Sequence, residues 1–290
     1  MGNKDISLVI TDLDNTLYDW FEVWYQSFNA MLSEIENISG YNRDCLIPQI
    51  KIIHEKYNTA EYSFLIQELP LLKNLHPNVD LFDKYDKAIH AYRHARKSSL
   101  SLYPTVYETL KKLNGFGCKI VVYTESQDFY SCYRVKKLGL DGIIDVVYSP
   151  ESHDIPEGLN LEQVRRYSPS HYSFKNTIMK HTPKGEIKPN PKVLRDIIAD
   201  MRGAEEKTIY IGDSLVKDVY MAQKASICDV YASYGTSHRR EGYELLKSVT
   251  HWTDEMVEKE KSTSDIEVVP TVVLKNLFSE LLDNFNFIKF

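Results

Sequence analysis

The chain has 290 residues, of which 43% are hydrophobic and 26% are charged, and its formal net charge is −6. This length and composition predict a globular protein of one large domain or two smaller ones, since enough apolar surface is present for a core. The negative charge argues against a general nucleic-acid-binding surface, because phosphate backbones bind clustered Lys and Arg. A small anionic ligand is still possible where local positive charges prevail.

The sequence also argues against secretion and membrane insertion. Its four cysteines lie far apart without metal-binding spacing, which is typical of reduced cytosolic thiols. They are Cys45, Cys118, Cys132 and Cys228. The first apolar run lies within the first ten residues and leaves no room for a signal peptide, and nowhere do about 18 apolar residues follow one another. We therefore expect a cytoplasmic protein that binds neither membranes nor nucleic acids.

The first predicted strand is the apolar run from Ile6 to Ile10, which ends just before Asp12. About a hundred residues without a comparable strand follow it. Helical spacing of apolar residues fills this gap, from Phe21 to Ile35 and again from Leu81 to Tyr92. The sequence therefore predicts a helical insertion over residues 20–102 within a core formed by residues 1–19 and 103–290.

Four further short apolar runs predict strands over residues 119–124, 144–149, 208–213 and 228–233. Helical patterns cover residues 105–113, 191–200 and 218–225. Strands that alternate with helices indicate an α/β fold whose parallel sheet is covered on both faces.

Two stretches do not fit this alternation. Residues 150–187 contain several prolines and many polar residues, and they predict an unusually long irregular insertion that is functional or mobile. Residues 238–264 form an extension without a clear pattern. At the C-terminus, the sequence predicts a short strand over residues 267–269 and a helix over residues 270–284.

Acidic and polar side chains follow the predicted strands. Asp12 and Asp14 come directly after the first strand, Thr124 closes the second, and Asp213 ends the fourth, while Lys188 precedes a helix. Ligands of open α/β sheets bind outside the carboxyl ends of the strands. Crowded carboxylates repel one another unless a cation or a proton relieves them, so a divalent hard cation is the simplest partner. Each acid taken singly is more often a helix cap or a turn residue, but the set together predicts a site.

The order and placement of these residues resemble the haloacid dehalogenase-like hydrolases. The stretch from Asp12 to Thr16 resembles the nucleophile loop of that family, and Thr124 resembles its second motif. Lys188 with Pro189 resembles its third motif, and the stretch from Gly212 to Asp218 resembles its acidic fourth motif. The resemblance implies a Rossmann-like parallel-sheet core with an inserted helical cap domain of type 1.

The residue chemistry and the resemblance imply the same roles for phosphate-ester hydrolysis. Asp12 would attack phosphorus and form an aspartyl-phosphate, and Asp14 would act as general acid and base. Mg²⁺ would be held by Asp12, the backbone oxygen of Asp14 and Asp213, with Asp218 in contact through water or orienting Lys188.

The same comparison assigns residues to the phosphoryl group. Thr124 and Lys188 would bind it, and backbone N–H groups of Leu13, Asp14 and Glu125 would add donors. Thr16 would position Asp14, and Ser214 would act as Asp218 does.

The predicted cap contains a polar and aromatic cluster whose role the sequence leaves open. Its members are His54, Tyr57, Asn58, Glu61 and Tyr62. They could face a substrate, or they could belong to an ordinary amphipathic helix. The basic run from Arg93 to Lys97 is typical of a solvated helix end.

An acid at Asp14 suits an alkoxide leaving group, so the leading hypothesis is a Mg²⁺-dependent phosphatase acting on a small phosphorylated metabolite. Dehalogenation is disfavoured. A phosphotransferase or phosphomutase on the same site is the nearest alternative, and a non-catalytic binding or regulatory module is another. The particular phosphate ester and the oligomeric state stay open.

Overall fold

The computed structural model describes residues 4–157, 168–237, 240–252 and 268–290. The chain divides into two compact units. The core unit contains Met1–Asp19, Ser101–Thr236 and Thr263–Phe290, and the helical unit contains Trp20–Leu100 and Ser237–Ser262. Of the extension that the sequence predicted over residues 238–264, residues 238–239 and 253–264 lie outside the described residues.

The core unit is built on a seven-stranded parallel sheet with the strand order β5-β4-β3-β2-β6-β7-β8, and β1 and β9 form a second, two-stranded parallel sheet. The strands are β1 (Lys4–Ile6), β2 (Leu8–Thr11), β3 (Lys119–Tyr123), β4 (Val146–Ser149), β5 (Ile178–His181), β6 (Thr208–Gly212), β7 (Cys228–Ala232), β8 (Val272–Leu274) and β9 (Phe285–Phe287). The central strands are buried on both faces, as near-continuous apolar runs require. The α/β fold predicted from the sequence is confirmed.

Helices cover the sheet and fill the helical unit. The core unit contains α7 (Val106–Gly115), α8 (Asp128–Lys137), α9 (Pro191–Asp200), α10 (Tyr220–Lys224) and α12 (Leu281–Asn284). The helical unit contains α1 (Trp20–Ser39), α2 (Arg43–Tyr57), α3 (Leu65–Glu68), α4 (Pro70–Leu75), α5 (Leu81–Lys84), α6 (Asp86–Ser99) and α11 (Tyr243–Val249). On one face of the sheet, apolar side chains of α9 and α10 pack against β2, β3, β4 and β6. None of the helices in the described residues is both long and apolar enough to cross a membrane.

Four sequence predictions are wrong in the core unit. The apolar run at the N-terminus forms two strands, because β1 leaves the main sheet to pair with β9. The stretch that was predicted to be irregular contains β5, which pairs with β4 as the edge strand. Residues 158–167 of that stretch lie outside the described residues.

The third wrong prediction is the C-terminal helix over residues 270–284. It is replaced by β8, a turn, the short helix α12 and β9. The carboxylate of Glu280 accepts backbone N–H groups of Lys275, Asn276 and Leu277, which turns the chain before α12 begins. The strand predicted at residues 267–269 instead forms at Val272–Leu274, where it pairs with β7; residue 267 lies outside the described residues.

His54 has a structural place within the helical unit. Its side chain is 1% exposed, and its Nδ1 lies 2.7 Å from the carbonyl oxygen of Val249 at the end of α11. Nearby, the Trp20 indole N–H donates to Glu61 at 2.9 Å, and the stacked rings of Tyr57 and Tyr62 have centroids 3.8 Å apart. These contacts favour the ordinary helix-packing interpretation for His54.

Candidate active site

The carboxyl ends of β2, β3 and β6 meet at one edge of the sheet. Thr11 pairs with Val122 of β3 and with Ile211 of β6, so the residues just after these positions lie side by side. The backbone N–H of Asp12 donates to the carbonyl of Ile211 at 2.7 Å. The sheet register therefore fixes Asp12 between the segment that leads to Thr124 and the segment that leads to Asp213.

Three carboxylates converge at this edge. Asp12, Asp213 and Asp218 each offer an oxygen, and these oxygens lie within 4.8 Å of one another. Asp218 belongs to a π-helical turn, Leu215–Val219, and its carboxylate folds back against the end of β6. A Cβ atom at Gly212 would lie 2.2 Å from Cγ of Asp218, so only glycine at this position leaves room for that carboxylate.

Lys188 supplies the positive charge beside these carboxylates. Its ammonium group donates to Asp12 Oδ1 and, at 3.0 Å, to Asp218 Oδ1. The residue is 3% exposed, and its Nζ lies 5.1 Å and 5.5 Å from the ring centroids of Tyr123 and Tyr210. The Tyr210 hydroxyl also donates to Asp218 Oδ1 at 2.9 Å. Lys188 is thus a buried cation that two carboxylates share.

Burial and crowding shift the pKa values of these groups. Burial is the largest cause that raises the pKa of Asp12 to about 7; Lys188 opposes it, while Asp218 and Asp14 add to it. The pKa of Asp213 is raised well above its usual range by burial and by Asp218 and Asp12. Burial acts to lower the pKa of Lys188, but Asp12 and Asp218 outweigh it and hold that pKa well above its usual range.

This donor set fits a divalent hard cation. Asp12, Asp213 and Asp218 lie together and the ammonium of Lys188 contacts two of them, so the three carboxylates, when ionised, carry more negative charge than this ammonium offsets. Carboxylate oxygens are the ligands that Mg²⁺ and Ca²⁺ prefer. The side chain of Asp14 does not belong to this group, and the predicted contact of its backbone oxygen with a metal stays a prediction.

Glu125 joins the segment after β3 to the Lys188 loop. Its Oε1 accepts the backbone N–H of Lys188 at 3.0 Å, and its Oε2 lies 2.7 Å from Nζ of Lys217. Burial acts to raise the pKa of Glu125, but the ammonium groups of Lys217 and Lys188 outweigh it and lower that pKa. From the sequence, only the backbone N–H of Glu125 was predicted to take part in the site; the contacts of its side chain were not predicted.

The two threonines occupy different places in the site. Thr124 is buried directly after β3, and its hydroxyl oxygen accepts the backbone N–H of Ser126 at 3.1 Å, which leaves the hydroxyl proton to be donated. The hydroxyl of Thr16 lies 3.5 Å from Asp12 Oδ2, and its role toward Asp14 stays a prediction. The roles of Thr124 and of the backbone at Leu13 stay predictions.

Asp14 is held by a separate set of donors. Tyr18 and Ser126 each donate a hydroxyl hydrogen bond to its carboxylate, one to Oδ1 and the other to Oδ2. The guanidinium of Arg134 lies 3.4 Å from Oδ1. Sequence reasoning missed all three residues. The only signal was the position of Arg134 among Tyr130, Ser131 and Val135 on the buried face of α8.

The turn after β7 packs against the loop that carries Asp12 and Asp14. The Tyr234 hydroxyl donates to the carbonyl of Thr16 at 2.8 Å. A Cβ atom at Gly235 would lie 1.8 Å from the carbonyl oxygen of Asn15 and 2.9 Å from Cβ of Asp213. This close approach requires glycine, and it fixes the loop that carries Asp12 and Asp14.

Solved structures show the same fold. A protein assigned as a β-phosphoglucomutase from Thermotoga maritima has a TM-score of 0.52 at 17% identity, covering 96% of this chain and 97% of that one. A protein assigned as a HAD hydrolase, YfnB from Bacillus subtilis, in a structure bound to magnesium, has a TM-score of 0.52 at 13% identity, covering 97% of this chain and 100% of that one. No curated protein is similar enough in sequence to match.

The family model described as haloacid dehalogenase-like hydrolase matches residues 6–226, which include the carboxylate group, Thr124 and Lys188. The chain belongs to the haloacid dehalogenase-like hydrolases.

Proposed function

We propose that the protein is a Mg²⁺-dependent phosphatase that hydrolyses a small phosphate monoester through an aspartyl-phosphate on Asp12. The observation that carries this proposal is the place of Asp12 at the end of a buried central strand, in contact with Lys188 and within the carboxylate group. Asp14, two residues further on, is held apart from that group by its own donors. One acid is therefore available to attack and the other to transfer protons.

The chain's own residues account for both halves of the reaction. An oxygen of Asp12 attacks phosphorus, the bond to the ester oxygen breaks, and Asp14 gives its proton to the leaving alkoxide. Water then attacks the phosphorus of the aspartyl-phosphate while Asp14 takes its proton, which releases phosphate and restores both carboxyl groups. Lys188 and Thr124 bind the phosphoryl oxygens, on which negative charge accumulates.

Asp12, Asp213 and Asp218 would hold the cation. When bound, Mg²⁺ supplies positive charge that neutralises the carboxylates and the phosphoryl oxygens. A phosphate dianion would otherwise meet a group of buried carboxylates with only Lys188 to offset them.

The general acid at Asp14 favours phosphate-ester chemistry over dehalogenation. A halide leaves as a stable anion and needs no proton, whereas an alkoxide is strongly basic and requires one. The three donors around Asp14 hold its carboxyl group in a fixed orientation, which suits proton transfer to an alkoxide.

The test is inorganic phosphate release from a panel of sugar phosphates, phosphoglycolate, nucleoside monophosphates and p-nitrophenyl phosphate, with Mg²⁺ or with a chelator. Asp12→Asn keeps the shape of the side chain but removes the nucleophile, and Asp196→Asn is a matched exposed control on α9. We expect Mg²⁺-dependent release by the native protein and by D196N, and none by D12N.

Two results would contradict the phosphatase. Transfer of the phosphoryl group to an added sugar, with no inorganic phosphate released, would indicate a phosphotransferase or phosphomutase. Silence of a folded protein across the panel, with and without acceptors, would indicate a binding module.

A further inference from the structure

Arg134 is a buried cation beside the proposed acid and base. It lies on α8, in the middle of the face that packs inward, and its side chain is 1% exposed. A buried guanidinium is costly unless it is paired and hydrogen-bonded. The guanidinium on this helix face therefore needs a partner, and the carboxylate of Asp14 lies 3.4 Å from its Nη1.

Arg134 reaches Asp14 both directly and through Ser126. Its Nη1 donates to the Ser126 hydroxyl oxygen at 2.7 Å and lies 3.4 Å from Asp14 Oδ1. The Ser126 hydroxyl in turn donates to Asp14 Oδ2. Because Tyr18 donates to Oδ1, both carboxylate oxygens have a donor and the plane of the carboxylate is fixed.

The guanidinium is itself held in place by two aromatic rings. Its Cζ lies 5.6 Å from the ring centroid of Tyr18 and 5.3 Å from that of Tyr130, within the range of cation–π attraction. Tyr18 thus contacts both ends of the pair, since its ring faces Arg134 and its hydroxyl binds Asp14. The four side chains form one network, which we call the Asp14 network: Tyr18, Ser126, Arg134 and Asp14.

We propose that Arg134, acting through Ser126 and together with Tyr18, is a positioning residue that holds the Asp14 carboxyl group for proton transfer to the leaving oxygen. This inference rests on the proposed phosphatase function. In the step it serves, the bond between phosphorus and the ester oxygen breaks, and the proton moves from the Asp14 carboxyl to that oxygen. Esters with strongly basic leaving groups depend on this proton, and esters with weakly basic leaving groups do not.

The test compares phenyl phosphate with p-nitrophenyl phosphate, because p-nitrophenolate is by far the weaker base. The variants are Ser126→Ala, Tyr18→Phe and Arg134→Lys, and the last keeps the charge but not the fork of donors. We expect kcat/KM for phenyl phosphate to fall about 10²-fold, the usual cost of a misplaced catalytic group. We expect kcat/KM for p-nitrophenyl phosphate to change by no more than about threefold, because this ratio covers only binding and transfer to Asp12, and the hydrolysis of the aspartyl-phosphate, which uses Asp14 for both substrates, does not enter it.

Controls separate this outcome from general destabilisation. Ser27→Ala removes another buried hydroxyl, on α1, and should leave the rates of hydrolysis of both substrates unchanged. If Arg134→Lys does not fold, Ser126→Ala and Tyr18→Phe still decide the question, because each removes only a hydroxyl. Equal losses for both substrates, or no loss for either, would overturn the positioning role.

Failure of the phosphatase proposal is recognised independently. In that case, the native protein and Asp12→Asn would release phosphate at the same rate, whatever the variants of the Asp14 network do. A different result would reject only the positioning role. In that result, the native protein is active, D12N is inactive, and the network variants lose the same factor of activity on both substrates.

Discussion

The side chain of Glu125 accepts a hydrogen bond from the backbone N–H of Lys188 at 3.0 Å, although 63 residues separate them in the sequence. This contact joins the loop after β3 to the loop that carries the buried ammonium group. The position of that ammonium between Asp12 and Asp218 thus depends on a side chain whose own hydrogen bonds join it to the Lys188 backbone and to Lys217.

Glu125→Ala should lower kcat/KM about tenfold or more, because the Lys188 loop loses its acceptor and the ammonium group its fixed position. Glu125→Gln should lower it less, since an amide oxygen can accept the same backbone N–H. Steady-state kinetics on the best substrate of the panel measures both. Lys217→Ala removes only the ion pair with Glu125. If that variant is as impaired as Glu125→Ala, the contact with Lys188 is not the cause.

Lys188→Met should destabilise the protein by about 3–5 kcal/mol, because it leaves two buried carboxylates without their shared cation. Urea unfolding in the presence of a chelator measures this loss. The double variant Lys188→Met/Asp218→Asn should recover part of it, since one of the two unpaired charges is gone. A double variant that is less stable than the single one would show that the ion pair does not explain the loss.

Mg²⁺ should raise the melting temperature of the native protein, because a ligand that binds only the folded state stabilises it. Asp213→Asn should weaken this response, since one of the three converging oxygen ligands is replaced. Thermal unfolding at increasing Mg²⁺ concentration measures the effect without reference to any substrate. Asp196→Asn should respond as the native protein does; an equal response from D213N would place the cation elsewhere.

His54 should make stability depend on pH in the mildly acidic range. Burial lowers its pKa from 6.5 to about 4, so the unfolded state binds the proton more tightly. The stabilisation is complete above pH 6.5 and is lost as the pH falls towards 4, by about 3 kcal/mol in all. Denaturant unfolding measured across this range gives the dependence.

His54→Gln should flatten this pH dependence, because glutamine does not titrate and its amide can still donate to Val249. His94→Gln, at an exposed position on α6, is the control and should leave the slope unchanged. If H54Q follows the native curve, other groups cause the acid sensitivity.

Gly235→Ala should lower both stability and turnover, because its Cβ would lie 1.8 Å from the carbonyl oxygen of Asn15 and would displace the loop that carries Asp12 and Asp14. Gly115→Ala is a matched control at the end of α7, where a Cβ would meet nothing within 4 Å. Thermal unfolding and phosphate release measure both variants. Unchanged turnover in G235A would mean that the turn after β7 does not fix this loop.

The sequence predicted most of the sheet and the strand ends, because these depend on local features. A buried parallel strand reads as an apolar run whatever its neighbours are, and β3, β4, β6 and β7 formed within two residues of their predicted positions. Edge elements were harder to predict. β5 has exposed residues at both ends, and the C-terminal segment combined helix-compatible apolar spacing with strands that form only by pairing with β7 and β1.

In the candidate site too, local features were predictable from the sequence, whereas contacts between distant segments were not. The sequence determined which acids follow the central strands, and their order along the chain identified the family to which the protein belongs. Tertiary structure alone decided that Lys188 is shared by Asp12 and Asp218, that Glu125 holds the Lys188 loop, and that Arg134 lies beside Asp14. The physical reason is that apolar periodicity describes one segment at a time, whereas these side-chain contacts depend on which distant segments become neighbours and on the path of the loops between them.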